Sequence, residues 1–93
     1  MKMTQLLYFK TVAETGTMAK AAKKLFVTAP AVSIAISNLE KELGVSLFDR
    51  RPNRIELNEQ GVAYLQYVNQ IFADLDLAKE AVQGVTPEQD CKQ

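Results

Sequence analysis

The chain has no histidine, no tryptophan and a single cysteine, and its apolar runs are all short. Each absence removes a class of function. Without histidine, neither a Ser-His nor a Cys-His catalytic pair can be built within the chain. The lone thiol, Cys91, lies in a polar C-terminal stretch, which excludes a disulfide framework and a multi-cysteine zinc site. No apolar segment approaches the roughly 18 residues of a membrane span. The N-terminus lacks the basic, apolar and cleavage segments of a signal peptide. Glu40 and Glu42 are close in sequence, but two residues apart on a helix they point in different directions. A length of 93 residues allows one small domain, or a domain plus an arm, and little room for a deep catalytic cleft. These absences lead us to expect a soluble, cytoplasmic protein with no cofactor, no metal, no membrane partner and no enzymatic activity.

What is present is ordinary in amount and unusual in arrangement. The chain is 47% hydrophobic and 24% charged, close to the globular average. Eleven basic groups cancel eleven acidic ones, yet the two signs are sorted along the chain. Residues 1–54 hold nine basic and four acidic groups, a net of +5, and residues 55–93 hold two and seven, a net of −5. A basic half joined to an acidic half suggests an anion-binding unit attached to a part with a different job.

Periodicity divides the basic half into three helices. The first is expected from about Thr4, as N-cap, to Thr15, with Leu6, Phe9, Val12 and Ala13 on its apolar face. Gly16 supplies a left-handed stop, and Thr17 caps a short alanine-rich helix that runs to about Phe26. Ala21, Ala22 and Leu25 should face inward there, with Lys20, Lys23 and Lys24 outward. Thr28 caps a third helix, Pro30 suits its first turn, and Gly44 closes it. Val32, Ile36, Leu39 and Leu43 form its apolar stripe. The opposite face carries Ala29, Ser33, Ile34, Ser37 and Lys41, a poorly solvating surface that something should cover.

The period then changes. Residues 46–50 and 54–57 read as strands of a small hairpin whose tip carries Arg50, Arg51 and Arg54. An isolated hairpin is marginal, so it must lean on the helices through Leu47, Phe48, Ile55 or Leu57. Asn58 caps a last helix that could reach Gly84. Its heptads place Gly61, Val68, Leu75 and Val82 at a, Tyr64, Ile71 and Ala78 at d, and Leu65 and Phe72 at e. Such a stripe either folds back on its own domain or pairs with a second copy. The small size of the domain favours a homodimer seam built from Tyr64, Leu65, Val68, Ile71, Phe72, Leu75, Ala78 and Val82. Beyond Gly84 the periodicity ends and a flexible tail is expected over 85–93.

Met18 to Ser37 fits a helix-turn-helix, in which a small residue, Ala22, lets two helices cross closely. Phe26 replaces the glycine often found in the turn, which is tolerable if its φ stays negative. Two short packed helices of purely structural purpose would look similar, but an arginine-tipped hairpin just downstream makes a winged version. In that reading Thr28, Ala29, Pro30, Ser33, Ile34 and Ser37 approach base edges in the major groove of duplex DNA. Thr17, Thr28 and the helix N-terminus meet phosphates. Lys20, Lys23, Lys41 and the three arginines add salt-dependent attraction. A helical protein-interaction module is the alternative, and it has no need of cations on a wing.

The stretches QLLYFKTVAETGT, AAKKLFVTAPAVS, NLEKELGVSLFDR and RIELNEQG resemble the N-terminal domain of LysR-type transcriptional regulators, over about residues 4–84. The resemblance implies a mainly α fold: a winged helix-turn-helix over 1–57 and a long dimerising linker helix over 58–84. It also implies sequence-specific binding to double-stranded DNA as a homodimer, or a tetramer of the full-length protein. A small-molecule inducer would bind only through a larger C-terminal domain beyond this chain. Five residues at three places depart from the family pattern. Thr28-Ala29 stands where serine-glutamine is usual, Ile34-Ala35 where a polar residue and glutamine are common, and Asn58 where threonine is usual. Polar readout by Ala29 and Ala35 is correspondingly reduced.

Overall fold

The computed structural model describes residues 1–84; the tail expected over 85–93, with Cys91, lies outside the described residues. Helices α1 (Met3–Thr15), α2 (Met18–Leu25) and α3 (Ala29–Leu43) are followed by strands β1 (Phe48–Arg51) and β2 (Arg54–Leu57) and by α4 (Glu59–Gln83). The elements start and stop largely where local chemistry dictates. Thr17 Oγ1 accepts a hydrogen bond from the Lys20 amide at 3.0 Å, and Thr28 Oγ1 one from Ala31 at 3.2 Å. Asn58 Oδ1 accepts from Gly61 at 2.8 Å while its Nδ2 donates to the Ser46 carbonyl. Gly16 and Gly44 end α1 and α3 with φ of 82° and 75°.

Two local expectations are corrected. Helix α1 starts at Met3, with Lys2 as N-cap, so Thr4 lies inside its first turn. The cause is Gln5, whose side-chain oxygen reaches back to accept the Lys2 amide at 2.9 Å and so begins the helix earlier. The second correction concerns the turn between α2 and α3. Phe26 has φ of 59°, outside the negative range that made it tolerable. The reason lies in the hydrogen bonds that close α2. Val27 N–H reaches the Ala22 carbonyl at 3.0 Å and Phe26 N–H that of Lys23 at 3.3 Å, a pairing that requires a left-handed residue between helix and exit. Phe26 takes that conformation while 94% exposed, so little burial offsets its steric cost. Phe26→Gly should therefore raise stability, by up to about 1 kcal/mol, or about 4–8 °C in melting temperature. A lower melting temperature would show instead that the exposed ring contributes contacts.

The core is built as the apolar stripes foretell. Leu6, Phe9 and Val12 of α1 meet Ala21 and Ala22 of α2 and Val32, Ile36 and Leu39 of α3, all buried. Phe9 is the hub: its ring centroid lies 5.4 Å from those of Phe48 and of Tyr64, in tilted and edge geometry. One side chain thus ties the hairpin and α4 to α1. Thr11, the one buried polar residue among the described residues, donates to the Leu7 carbonyl at 2.8 Å and is satisfied.

The hairpin leans on the helices through Leu47, Phe48 and Ile55, all buried, and half-buried Leu57. Its two-residue turn, Pro52-Asn53, sets an antiparallel register of Phe48 with Leu57, Asp49 with Glu56, Arg50 with Ile55 and Arg51 with Arg54. The Ile55 amide donates to the Gly16 carbonyl at 3.0 Å, fastening the wing to the α1–α2 turn. Glu40, on α3, accepts the Leu47 amide at 2.7 Å and the Ser46 hydroxyl at 3.3 Å. This carboxylate holds the loop leading into β1.

Helix α4 has 25 residues and spans about 37 Å, most of the 57 Å long axis of the molecule. Only its first half packs on the domain. Gly61 and Val68 are buried, and Tyr64, Leu65 and Phe72 are half-buried against the core. From Ala73 to Gln83 every residue is exposed. The stripe expected as one dimer seam is therefore divided. Val68, with no exposed surface, is removed from that seam, because it fills the domain's own core beneath α1.

Candidate nucleic-acid interface

The third helix presents the face that the sequence singled out. Pro30 and Ile34 are exposed, Ile34 at 61%, while Ala29, Ser33 and Ser37 are half-buried between that surface and the core. Thr28 caps the start of this helix with its hydroxyl, so its remaining hydrogen-bonding capacity faces outward at an exposed position. Lys41 stands exposed at the far end, where it lines a shallow hollow with Ser37, Gly44 and Ser46.

A second group assembles around the wing. Thr17, Met18, Ala19 and Lys20, at the start of α2, face Arg50 to Ile55 across an open cleft. This cleft brings together Thr17, Lys20, Arg50, Arg51 and Arg54, five of the expected contact residues, from two stretches of the chain that are 30 positions apart at their nearest. The hydrogen bond from Ile55 to Gly16 fixes the floor of the cleft. The Thr17 hydroxyl and the Lys20 and Arg50 side chains border this exposed cleft, a combination suited to a phosphate ester, while Arg51 and Arg54 line it from strand positions whose side chains lie on the other face.

The lysines are not equivalent. Lys20 and Lys23 are exposed on α2, whereas Lys24 lies 3.7 Å from Glu14. Lys10 donates to the same carboxylate at 2.8 Å and, with Lys24, holds Glu14 below the ordinary carboxylate range despite some burial. The charge of Lys24 is thus partly satisfied inside the domain. Arg50 shares a strand face with Phe48 and Ile55, but its side chain is exposed and lines the cleft. Arg51 and Arg54 sit on the opposite face of the ladder with Asp49 and Glu56. Glu56 is the residue that sequence reasoning missed. Its carboxylate lies 2.8 Å from Arg54 Nη2 and 3.8 Å from Arg51 Nε. The signal was the two-residue spacing of Arg54 and Glu56, which puts both on one face of a strand.

Among the described residues there is no cluster of histidine, cysteine or carboxylate side chains able to hold a metal ion, and no helix long and apolar enough to cross a membrane. Three helices with a tight α2–α3 turn, followed by a basic two-stranded hairpin, define a winged helix-turn-helix protein. Residues 3–62 match the family described as bacterial regulatory helix-turn-helix protein, lysR family, and the chain belongs to it. It is 41% identical over 85 residues to the uncharacterized HTH-type transcriptional regulator YybE of Bacillus subtilis (strain 168), covering 91% of this chain and 29% of that protein. It is 39% identical over 83 residues to a probable RuBisCO transcriptional regulator of Trichormus variabilis, covering 89% of this chain and 24% of that one. The chain thus spans less than a third of the length of these relatives. Among solved structures, the CbnR_DBD–DNA complex superposes with a TM-score of 0.84 at 37% identity, covering 90% of this chain and 97% of that chain. The BenM_DBD complex with benA site 1 DNA superposes with a TM-score of 0.87 at 30% identity, covering 91% and 96%.

Proposed function

We propose that this chain is the sequence-specific, double-stranded-DNA-binding domain of a dimeric transcriptional regulator acting in the cytoplasm, and that it works by binding rather than catalysis. The observation that carries this reading is the convergence of an outward α3 face with a cleft holding Thr17, Lys20 and three arginines. Kinship with DNA-binding domains of the same family, in complexes with DNA, supports it. Residues 1–57 form the DNA-binding unit and 58–84 the linker and dimerisation helix. A small-molecule inducer would act only through a further domain outside this chain.

The two surfaces divide the work. Ser33 lies one turn into α3, with Ile34 and Ser37 beside it, where a helix lying in the major groove meets base edges. Ala29, Pro30 and Ile34 give apolar contact, for instance to thymine methyl groups, while Ser33 and Ser37 give hydrogen bonds. Thr17, Lys20, Thr28, Lys41, Arg50, Arg51 and Arg54 bind the backbone or the minor groove and carry no base code. A two-fold dimer further implies an approximately palindromic site with half-sites at whole helical-turn spacing.

Salt titration of variants on a selected site and on a scrambled duplex tests this division. Arg54→Ala should weaken binding to both and lower the salt slope by about one unit. Ser33→Ala should alter the preference at one or two base pairs by about 1–3 kcal/mol and leave the slope nearly intact. Equal loss on both duplexes for Ser33→Ala, or an altered base preference without a slope change for Arg54→Ala, would show the roles to be misassigned. An unmutated domain with no salt-dependent duplex binding would favour a protein-interaction module instead.

A further inference from the structure

The outer face of the wing is a ladder of four charges in an awkward order. Asp49 stands directly across from Glu56, and Arg51 directly across from Arg54. Like charges facing each other across a strand pair repel, so each rung by itself opposes hairpin formation. The structure relieves one rung: Glu56 reaches along its own strand to Arg54 at 2.8 Å and across the ladder to Arg51 at 3.8 Å. Asp49 makes no salt bridge among the described residues. One carboxylate therefore gathers both cations at the tip of the wing.

A carboxylate and a phosphate ask the same thing of a guanidinium: two oxygens presented to its N–H fork. The geometry points to Glu56 as an intramolecular competitor for the wing arginines, holding in the free domain the cations that a DNA phosphate takes in the complex. This inference rests on the DNA-binding reading above. The pair is solvent-exposed, with side-chain exposures of 67% for Arg54, 56% for Arg51 and 40% for Glu56. Exchange with phosphate therefore needs no buried charge to be uncovered. Each engagement of the wing must give up this ion pair, so Glu56 makes the domain bind duplex more weakly than its basic wing allows. The acidic residue limits affinity without touching a base.

The test is a double-mutant cycle read as dissociation constants on a selected and a scrambled duplex at low salt. Glu56→Gln keeps the size of the side chain and removes its charge. It should tighten binding to both duplexes by about two- to fivefold, the range expected of an exposed ion pair. The gain should shrink as added salt screens the pair. Asp49→Asn is the control, since it removes the same charge from the same face without breaking a salt bridge, and should change binding less than Glu56→Gln does. In an Arg54→Ala background the gain from Glu56→Gln should largely vanish. Amide chemical shifts of residues 48–57 verify that the hairpin survives, and a wing that unfolds on loss of Glu56 would identify the residue as a brace and overturn the proposal. Unchanged or weakened binding by Glu56→Gln, or an equal gain from Asp49→Asn, overturns it while leaving the DNA-binding reading intact. An unmutated domain that binds no duplex overturns both.

Discussion

Replacing Gly61 by alanine, a change that improves an ordinary helix, is expected to destabilise this domain by about 2 kcal/mol or more. In an exposed helix interior, alanine gains roughly 1 kcal/mol over glycine. Here the first turn of α4 passes directly over the entry to the wing. The Asn58 amide donates to the Leu47 carbonyl at 3.1 Å, which pulls that carbonyl against the helix. A Cβ on Gly61 would fall on the Leu47 carbonyl oxygen and lie 2.7 Å from Leu57 Cδ2. The leucine side chain can rotate away, but the backbone oxygen cannot. Its position is fixed by the Asn58 amide and by the neighbouring amide of Leu47 held on Glu40. Relief would require the hairpin and α4 to move apart, against the packing of Phe9 on both Phe48 and Tyr64. Such overpacking costs about 1–3 kcal/mol, occasionally more, and exceeds the propensity gain when the clash is with backbone. Thermal unfolding at fixed protein concentration should show a melting temperature lower by about 10 °C or more. A variant as stable as the original would mean that α4 is not seated on the wing in this way.

Gly61 also marks how far the sequence could be read. Caps and stops at Thr17, Thr28, Asn58, Gly16 and Gly44 were legible because each depends on a side chain and an amide within a few residues. The core stripes of α1 to α3 were legible for the same reason, since helical period alone selects a face. Phe26 was not. Its left-handed backbone follows from the Val27–Ala22 closure, and glycine, the usual sign of such a residue, is absent. The early start of α1 turned on one side chain, Gln5, reaching back to Lys2. For the site, the cations were visible in composition, but the cleft joining Thr17 and Lys20 to the wing depends on a long-range hydrogen bond from Ile55 to Gly16. The pairing of Glu56 with Arg51 and Arg54 likewise depends on a strand register fixed by the turn at Pro52-Asn53. Helix α4 shows the limit most plainly. A heptad stripe has the same spacing whether it faces its own domain or a second copy, and here its proximal part does the first.

The distal half of that stripe carries the remaining large effect. Ile71, Leu75 and Val82 are 40%, 49% and 73% exposed, and Ala78 is exposed beside them. They follow one another at heptad spacing along a helix that projects beyond the domain. Isolated apolar side chains on a surface need no explanation, but a row of them on one helix face is the pattern of a seam. The proposed dimer uses this row, with half-buried Tyr64, Leu65 and Phe72 at its edge and Val68 beneath it in the domain core. Aspartate substitutions along one helix can then separate folding from association. Leu75→Asp or Ile71→Asp places an unpaired charge in the seam of each copy. Either should weaken dimerisation by several kcal/mol, more than about 100-fold in dissociation constant, while the domain keeps its helical content and melting cooperativity. Val68→Asp instead buries a charge among α1 and α4 side chains and should unfold the domain itself, since uncompensated burial exceeds what a small domain can spare. Sedimentation equilibrium and circular dichroism on the three variants distinguish these outcomes. An unmutated domain that sediments as a monomer at tens of micromolar, or a Leu75→Asp variant that remains dimeric, would remove this face of α4 from the assembly.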